Sequence, residues 1–113
     1  MTSKNVDPVL DNKSNFDPNE IELTVIAPMY NEADNIETTI SLIKETLNDF
    51  EKDWELLFVD DGSDDNTLEI ARSFETTMPN LRVLHYPLNC GRGKALRTGF
   101  NHARGKYIVT TDF

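Results

Sequence analysis

Four short stretches hold the residues able to do chemistry, and three of them follow runs that are otherwise apolar. Asp60-Asp61-Gly62-Ser63 sets two carboxylates side by side directly after Val59. A turn with a helix cap accounts for Gly62 and Ser63. It does not account for adjacent acids, which repel unless a cation or hydrogen-bond donors satisfy them. A carboxylate held at such a place accepts well from the ring N–H of a pyrimidine or of guanine. Tyr30, close after Pro28, is either a half-buried aromatic or a flat face on which a base stacks, an interaction of ~1–3 kcal/mol in single-strand binders. Asn89-Cys90-Gly91-Arg92-Gly93-Lys94 opens a helical pattern with two glycines and two cations. Close backbone approach, Arg92 and Lys94 together suit an anion such as phosphate. Asp112 follows Ile108-Val109-Thr110-Thr111 and gains meaning only beside the other three stretches.

Two familiar phosphate motifs are absent. Gly91-x-Gly93 is no dinucleotide fingerprint, because position 96 is Leu and the motif follows the third strand pattern. Gly93-Lys94 is no Walker loop, since Ala95 stands where Ser or Thr should hold magnesium.

The elements that must position these groups are legible from periodicity. Ile21-Glu-Leu-Thr-Val-Ile-Ala27 reads as a strand ending at Pro28, where the ladder loses a donor. Ile36, Ile40, Ile43, Leu47 and Phe50 then recur at spacings of four, three, four and three, a helix. Asn31 is expected to cap it, with Glu32 and Asp34 in the first turn. Residues 54–59 form a second strand and residues 66–77 a second helix, with Leu68, Ala71 and Phe74 inward and Pro79 closing it. Strands at 81–86 and 107–111 flank a third helix at 91–104. Such alternation predicts an α/β fold, a Rossmann-like parallel sheet with helices on both faces. Ligands bind such sheets beyond the carboxyl ends of the strands, where all four stretches fall.

At 113 residues there is room for one small domain. Residues 1–20 are polar and read as a loose arm, leaving residues 21–113 as the domain, with no linker after residue 20. The net charge of −9 argues against a general nucleic-acid binder, which needs a basic face. Cys90 is the single cysteine, so no internal disulfide forms and no cysteine cluster binds zinc. A lone cysteine fits a reducing compartment. The cytoplasm is therefore expected, or the cytoplasmic face of a membrane for a full-length protein. No apolar run reaches the ~18 residues of a membrane helix and no secretory leader opens the chain, so a soluble chain without membrane contact is expected.

Taken in order, Val25-Ile-Ala-Pro28-Met-Tyr30-Asn31-Glu32, Val59-Asp60-Asp61-Gly62-Ser63-x-Asp65, Asn89-x-Gly91-x-Gly93-x-Ala95-x-x-x-Gly99 and Gly105-Lys-Tyr-Ile-Val-x-x-Asp112 resemble the N-terminal part of a family 2 glycosyltransferase. Dolichyl- and polyprenyl-phosphate mannose or glucose synthases look most alike, and the resemblance covers residues 22–113. It implies a partial type-A glycosyltransferase fold and transfer of a hexose from a UDP- or GDP-sugar, with a polyprenyl or dolichyl phosphate as the acceptor. It also implies that Pro28, Tyr30 and Glu32 contact the nucleotide, that Val59 and Asp61 flank and read the base, and that Asp60 positions the turn. Asn89, Arg92 and Lys94 match a glycine-rich segment on the nucleotide-sugar side. Thr111, Asp112 and Phe113 match the start of an Asp-x-Asp motif whose acids hold Mg²⁺ or Mn²⁺ against the diphosphate, with Asp112 the metal ligand. Such a metal neutralises charge on the leaving group.

The second acid of that motif would be residue 114, and the sequence ends at Phe113. A catalytic base and the acceptor site are expected beyond it. The chain is therefore expected to be a donor-binding fragment, inactive alone, holding no metal and prone to self-association through its sheet edge. One rival is a receiver-like signalling module, which also carries a magnesium-binding acidic pair. There the pair follows the first strand, whereas here it follows the second. A nucleotidyltransferase would need a glycine- and arginine-rich loop after the first strand, which this sequence lacks.

Overall fold

A computed structural model describes the backbone of Leu10–Asp11 and residues 20–113. In chain order the elements are β1 (Leu10–Asp11), β2 (Ile21–Met29), α1 (Ile36–Thr46), β3 (Asp53–Asp61), α2 (Thr67–Ser73), β4 (Leu81–Tyr86), α3 (Arg92–His102) and β5 (Tyr107–Thr110). They form one sheet of order β1-β4-β3-β2-β5. The four expected strands run parallel. The fifth comes from the segment expected to be a loose arm, where Leu10 and Asp11 pair antiparallel with His85 and Leu84. Without that short ladder β4 would be an edge strand with unpaired backbone groups. The rest of the expected arm, residues 1–9 and 12–19, lies outside the described residues.

Side chains alternate across the sheet and build two cores. Val25, Ala27, Met29, Leu56, Phe58 and Val83 pack against Ile36 and Ile40 of α1 and Ala71 of α2. Ile26, Leu57, Val59, Leu84 and Tyr86 pack on the other face against Ala95 of α3. Leu68 and Phe74 join the first core as expected. Close contact on the second face depends on Gly99, where a Cβ would come within 2.6 Å of Ile26.

Helix α1 stops at Thr46, short of Phe50, and β3 runs on through Asp60 and Asp61, which were expected to follow the strand; three further departures have a visible cause. Pro28 lies inside β2, which continues to Met29 and keeps pairing with Val59 and Asp60 of β3. Thr111 N–H donates to the Ile26 carbonyl, so Ile26 and, two residues on, Pro28 turn their backbone groups toward β5. The missing proline donor therefore ends the β5 ladder after Thr110 and leaves the β3 side intact. Helix α2 stops at Ser73 and tightens into a 3-10 turn over Phe74–Thr76. There Ser73, Thr76 and Thr77 hydroxyls donate to the carbonyls three residues back and compete with the helical ladder. Finally, a 3-10 turn over Ala33–Asn35 precedes α1, and Asn31 does not cap that helix.

At the start of the sheet a charged pair is enclosed. Glu55 and Arg82 are each 1% exposed. Glu55 Oε1 accepts from Arg82 Nε at 3.2 Å, and its Oε2 accepts from Thr24 Oγ1 at 2.7 Å and from Arg104 N–H at 2.9 Å. Arg82 also donates to the His102 carbonyl at the end of α3. The pair thus ties β2, β3, β4 and the α3–β5 connection together. Glu55→Leu should lower the unfolding free energy by about 3–5 kcal/mol, because the buried Arg82 guanidinium loses the Glu55 carboxylate and Thr24 Oγ1 and Arg104 N–H lose their acceptor. Adding Arg82→Met should recover most of that loss in urea denaturation, and a double variant as unstable as the single one would refute the role given to the ion pair.

Candidate functional site

The β3–β4 register sets Asp60 opposite His85 and Asp61 opposite Tyr86. Neighbours along a strand face opposite ways, so the two adjacent carboxylates never share a face. A receiver-like magnesium pair, which needs both acids in one site, is incompatible with this arrangement.

Asp61 lies on the α3 face and is enclosed. Its Oδ1 accepts from Tyr86 O–H at 2.6 Å and Cys90 N–H at 3.0 Å. Its Oδ2 accepts from Asn89 Nδ2 at 2.8 Å and Gly91 N–H at 2.9 Å. A carboxylate offers about four lone-pair positions, and here donors occupy all of them. Burial, followed by the Asp61 carboxylate, pushes the Tyr86 phenol well above its usual range. Gly62 (φ +66°) follows, and a Cβ there would lie 2.5 Å from Asn89 N. Only glycine lets the β3 end pass this close to the β4–α3 loop. Lys94, one turn into α3, holds its Nζ 4.4 Å from the Tyr86 ring centroid and 3.9 Å from Cys90 Sγ.

A second set of bonds joins the β2 end to the β3–α2 loop. Asn31, at φ +54° in the left-handed region that Asn tolerates, donates its N–H to Ser63 Oγ at 2.9 Å. Its Oδ1 accepts from Asp64 N–H at 2.9 Å and Asp65 N–H at 3.4 Å. Ser63 Oγ donates to Asp60 Oδ1, on the face opposite Asp61. Burial raises the Asp60 pKa above the usual carboxylate range. Glu32 N–H donates to Thr67 Oγ1, and Thr67 N–H in turn donates to Asp65 Oδ1. Thr67 Oγ1 donates to the same oxygen, and chiefly that bond, helped by the N–H, holds the Asp65 carboxyl below its ordinary pKa. Tyr30 is 40% exposed, and its O–H reaches Asp64 Oδ2 at 3.3 Å.

The remaining predicted residues divide sharply. Arg92 of α3 forms an exposed ion pair with Asp112, which brings the third and fourth stretches together. Thr111 and Pro28 are half-buried. Phe113 packs on Phe58 with ring centroids 5.6 Å apart. Val59 is fully enclosed in the α3-side core and presents no side-chain surface to a ligand. Among the described residues no three His, Cys, Asp or Glu side chains gather as a metal site. Asp112 alone does not make one, so these residues do not fit a divalent cation. Pattern reading missed Tyr86, which looks like a core aromatic, and the bridging part of Asn31.

Asp61→Asn should place amide hydrogens against Asn89 and Gly91 donors. We expect at least ~1–3 kcal/mol of destabilisation and loss of hydrogen-exchange protection at the Cys90 and Gly91 amides. Protection unchanged from the native chain would mean that something else anchors the loop.

Residues 24–112 match the sequence profile of glycosyl transferase family 2. A dolichyl-phosphate beta-glucosyltransferase of Saccharomyces cerevisiae is 39% identical over 105 residues, covering 85% of this chain and 30% of that protein. Its counterpart ALG5C of Trichomonas vaginalis is 37% identical over 102 residues, covering 86% and 30%. Among solved structures, a mannosyltransferase of Pyrobaculum calidifontis in complex with GDP-Man and Mn²⁺ superposes with a TM-score of 0.70 at 31% identity, over 89% of this chain and 30% of that one. S. aureus TarS 1–349 in complex with UDP gives 0.64 at 31% identity, over 81% and 27%. The chain thus spans about 30% of the length of these curated relatives. Its fold is a partial type-A glycosyltransferase fold, and the chain belongs to glycosyl transferase family 2.

Proposed function

We propose that the protein transfers a hexose from a UDP- or GDP-sugar to a polyprenyl or dolichyl phosphate, and that these residues supply its donor-binding part. The observation that carries the reading is the convergence of Tyr30, Asn89–Lys94 and Asp112 on one edge of the sheet, held there by Asp61 and Asn31. The relatives named as dolichyl-phosphate beta-glucosyltransferases favour the acceptor class, and the GDP-Man and UDP complexes favour the donor class.

In this reading the exposed face of Tyr30 stacks the base, with Pro28 and Glu32 beside it. Arg92 exchanges Asp112 for the donor diphosphate at little cost, since exposed ion pairs contribute only ~0–1 kcal/mol. Lys94 adds a second cation on the same side. Asp61 acts by shaping the Asn89–Lys94 loop, since its oxygens are already occupied. A Mg²⁺ or Mn²⁺ ion would find one carboxylate in Asp112 and need its other ligands from elsewhere in a longer protein.

Calorimetry should therefore give a Kd on the order of 1 mM for UDP or GDP, nearly unchanged by Mn²⁺. Tyr30→Ala should weaken it roughly tenfold. Tight binding that requires metal would contradict the incomplete site, and no effect at Tyr30 would contradict the stacking.

Chain association belongs to the same proposal. All four β5 residues are exposed, Tyr107 by 57% and Val109 by 47%, and a groove of about 430 Å³ lined by Leu23, Leu42, Ile43, Leu47 and Val109 separates α1 from β5. An uncovered apolar edge of this kind pairs with its own kind. Light scattering should report oligomers that Val109→Lys reduces, whereas a native chain that stays monomeric at high concentration would exclude the interface.

A further inference from the structure

Charge is spread unevenly along the chain. Residues 20–75 carry 16 Asp or Glu against three Lys or Arg, whereas residues 76–111 carry six Lys or Arg and no acid. The basic segment supplies β4, α3 and β5, and α3 alone covers one face of the sheet while α1 and α2 cover the other. Folding therefore turns a sequence asymmetry into a basic α3 face on a chain of net charge −9.

That face also carries large apolar side chains. Helix α3 turns Ala95, Thr98 and Gly99 inward. At 3.6 residues per turn Arg97 and Phe100 then fall on its outer side, where both are exposed, Phe100 by 50%. Ile108, 36% exposed, pairs with Thr24, whose hydroxyl bonds Glu55 on the α3 side of the sheet. Lys106, two residues earlier, is exposed as well. Among the described residues neither Arg97 nor Lys106 has an acidic partner, and Glu22 and Asp53 border the face only at the strand starts. A nucleic-acid duplex would take the cations but leave Phe100 and Ile108 in water. An anionic bilayer takes both, since its headgroups attract the cations and the ring enters the interface. The acids behind the sheet do not cancel this attraction. The domain measures 22 Å along its shortest axis, more than twice the screening length of ~8 Å at physiological ionic strength.

We propose that the α3 face docks the domain on an anionic lipid surface. No described helix is long and apolar enough to cross a bilayer, so the contact is peripheral, and it departs from the expectation of no membrane contact. Cosedimentation of the 113-residue chain with vesicles of phosphatidylserine and phosphatidylcholine, beside vesicles of phosphatidylcholine alone, tests it. Binding is expected to the anionic vesicles only, and it should vanish at ~1 M salt, where the screening length falls to ~3 Å. Arg97→Ala combined with Lys106→Ala should weaken it roughly 25-fold, about fivefold for each cation near such a surface. Phe100→Ala, an exposed change that spares the fold, should weaken it roughly fivefold by removing the apolar anchor. Lys44→Ala, on the opposite layer, should leave binding unchanged. Equal binding to neutral vesicles, no binding to anionic ones, native affinity in both the double variant and Phe100→Ala, or tighter binding to a DNA duplex than to vesicles would each overturn the surface.

Discussion

The Asp61 carboxylate is the constraint on which the ligand edge depends. One buried anion receives a phenol, a side-chain amide and two backbone N–H groups, and so converts the β4–α3 connection from a loop into part of the sheet's end. A charge this enclosed is tolerable only while every lone pair has a donor. The same requirement sets the surroundings. Gly62 must bring the chain within reach of Asn89, Tyr86 must stand opposite on β4, and Gly91 must start α3 where its N–H points back at β3. Arg92 and Lys94 follow immediately, so their position is inherited from the carboxylate.

A comparable network closes the other end of the sheet. Glu55 and Arg82 exchange charge inside the domain and hold the α3–β5 connection through Arg104 and His102. Helix α3 is thus clamped at both ends by buried carboxylates on β3, one near each end of that strand. The Arg92–Asp112 pair, by contrast, is exposed and worth little. Rigid supports and a yielding ion pair suit an edge that must exchange an internal partner for a ligand.

The two faces beyond β3 divide the labour. Asp61 serves the loop that faces the nucleotide edge, while Asp60, one residue earlier, faces α2. Strand geometry alone produces the split, since successive side chains point to opposite sides. The β5 edge and the α1–β5 groove are left uncovered by the described residues.

Composition and periodicity settled the strand–helix alternation, the parallel sheet and the four polar stretches at its carboxyl edge, because burial on two faces leaves a strong pattern in apolar residues. The motifs also sufficed to identify the family, since their order along the chain is itself information. The function of each acid was not legible. Asp60 and Asp61 look equivalent in sequence, yet register places one beside His85 and the other beside Tyr86. Pro28 looked like a strand end, and only the intact pairing on its β3 side shows why the strand continues. Asn31 looked like a cap, but its neighbours across the β2–β3 step claim it. Glu55 and Arg82 sit in apolar runs 27 residues apart, and their pairing exists only once the strands align. Local pattern reports which side of an element is buried. Tertiary structure decides which distant donor meets which acceptor, because buried polar groups take partners by proximity in space.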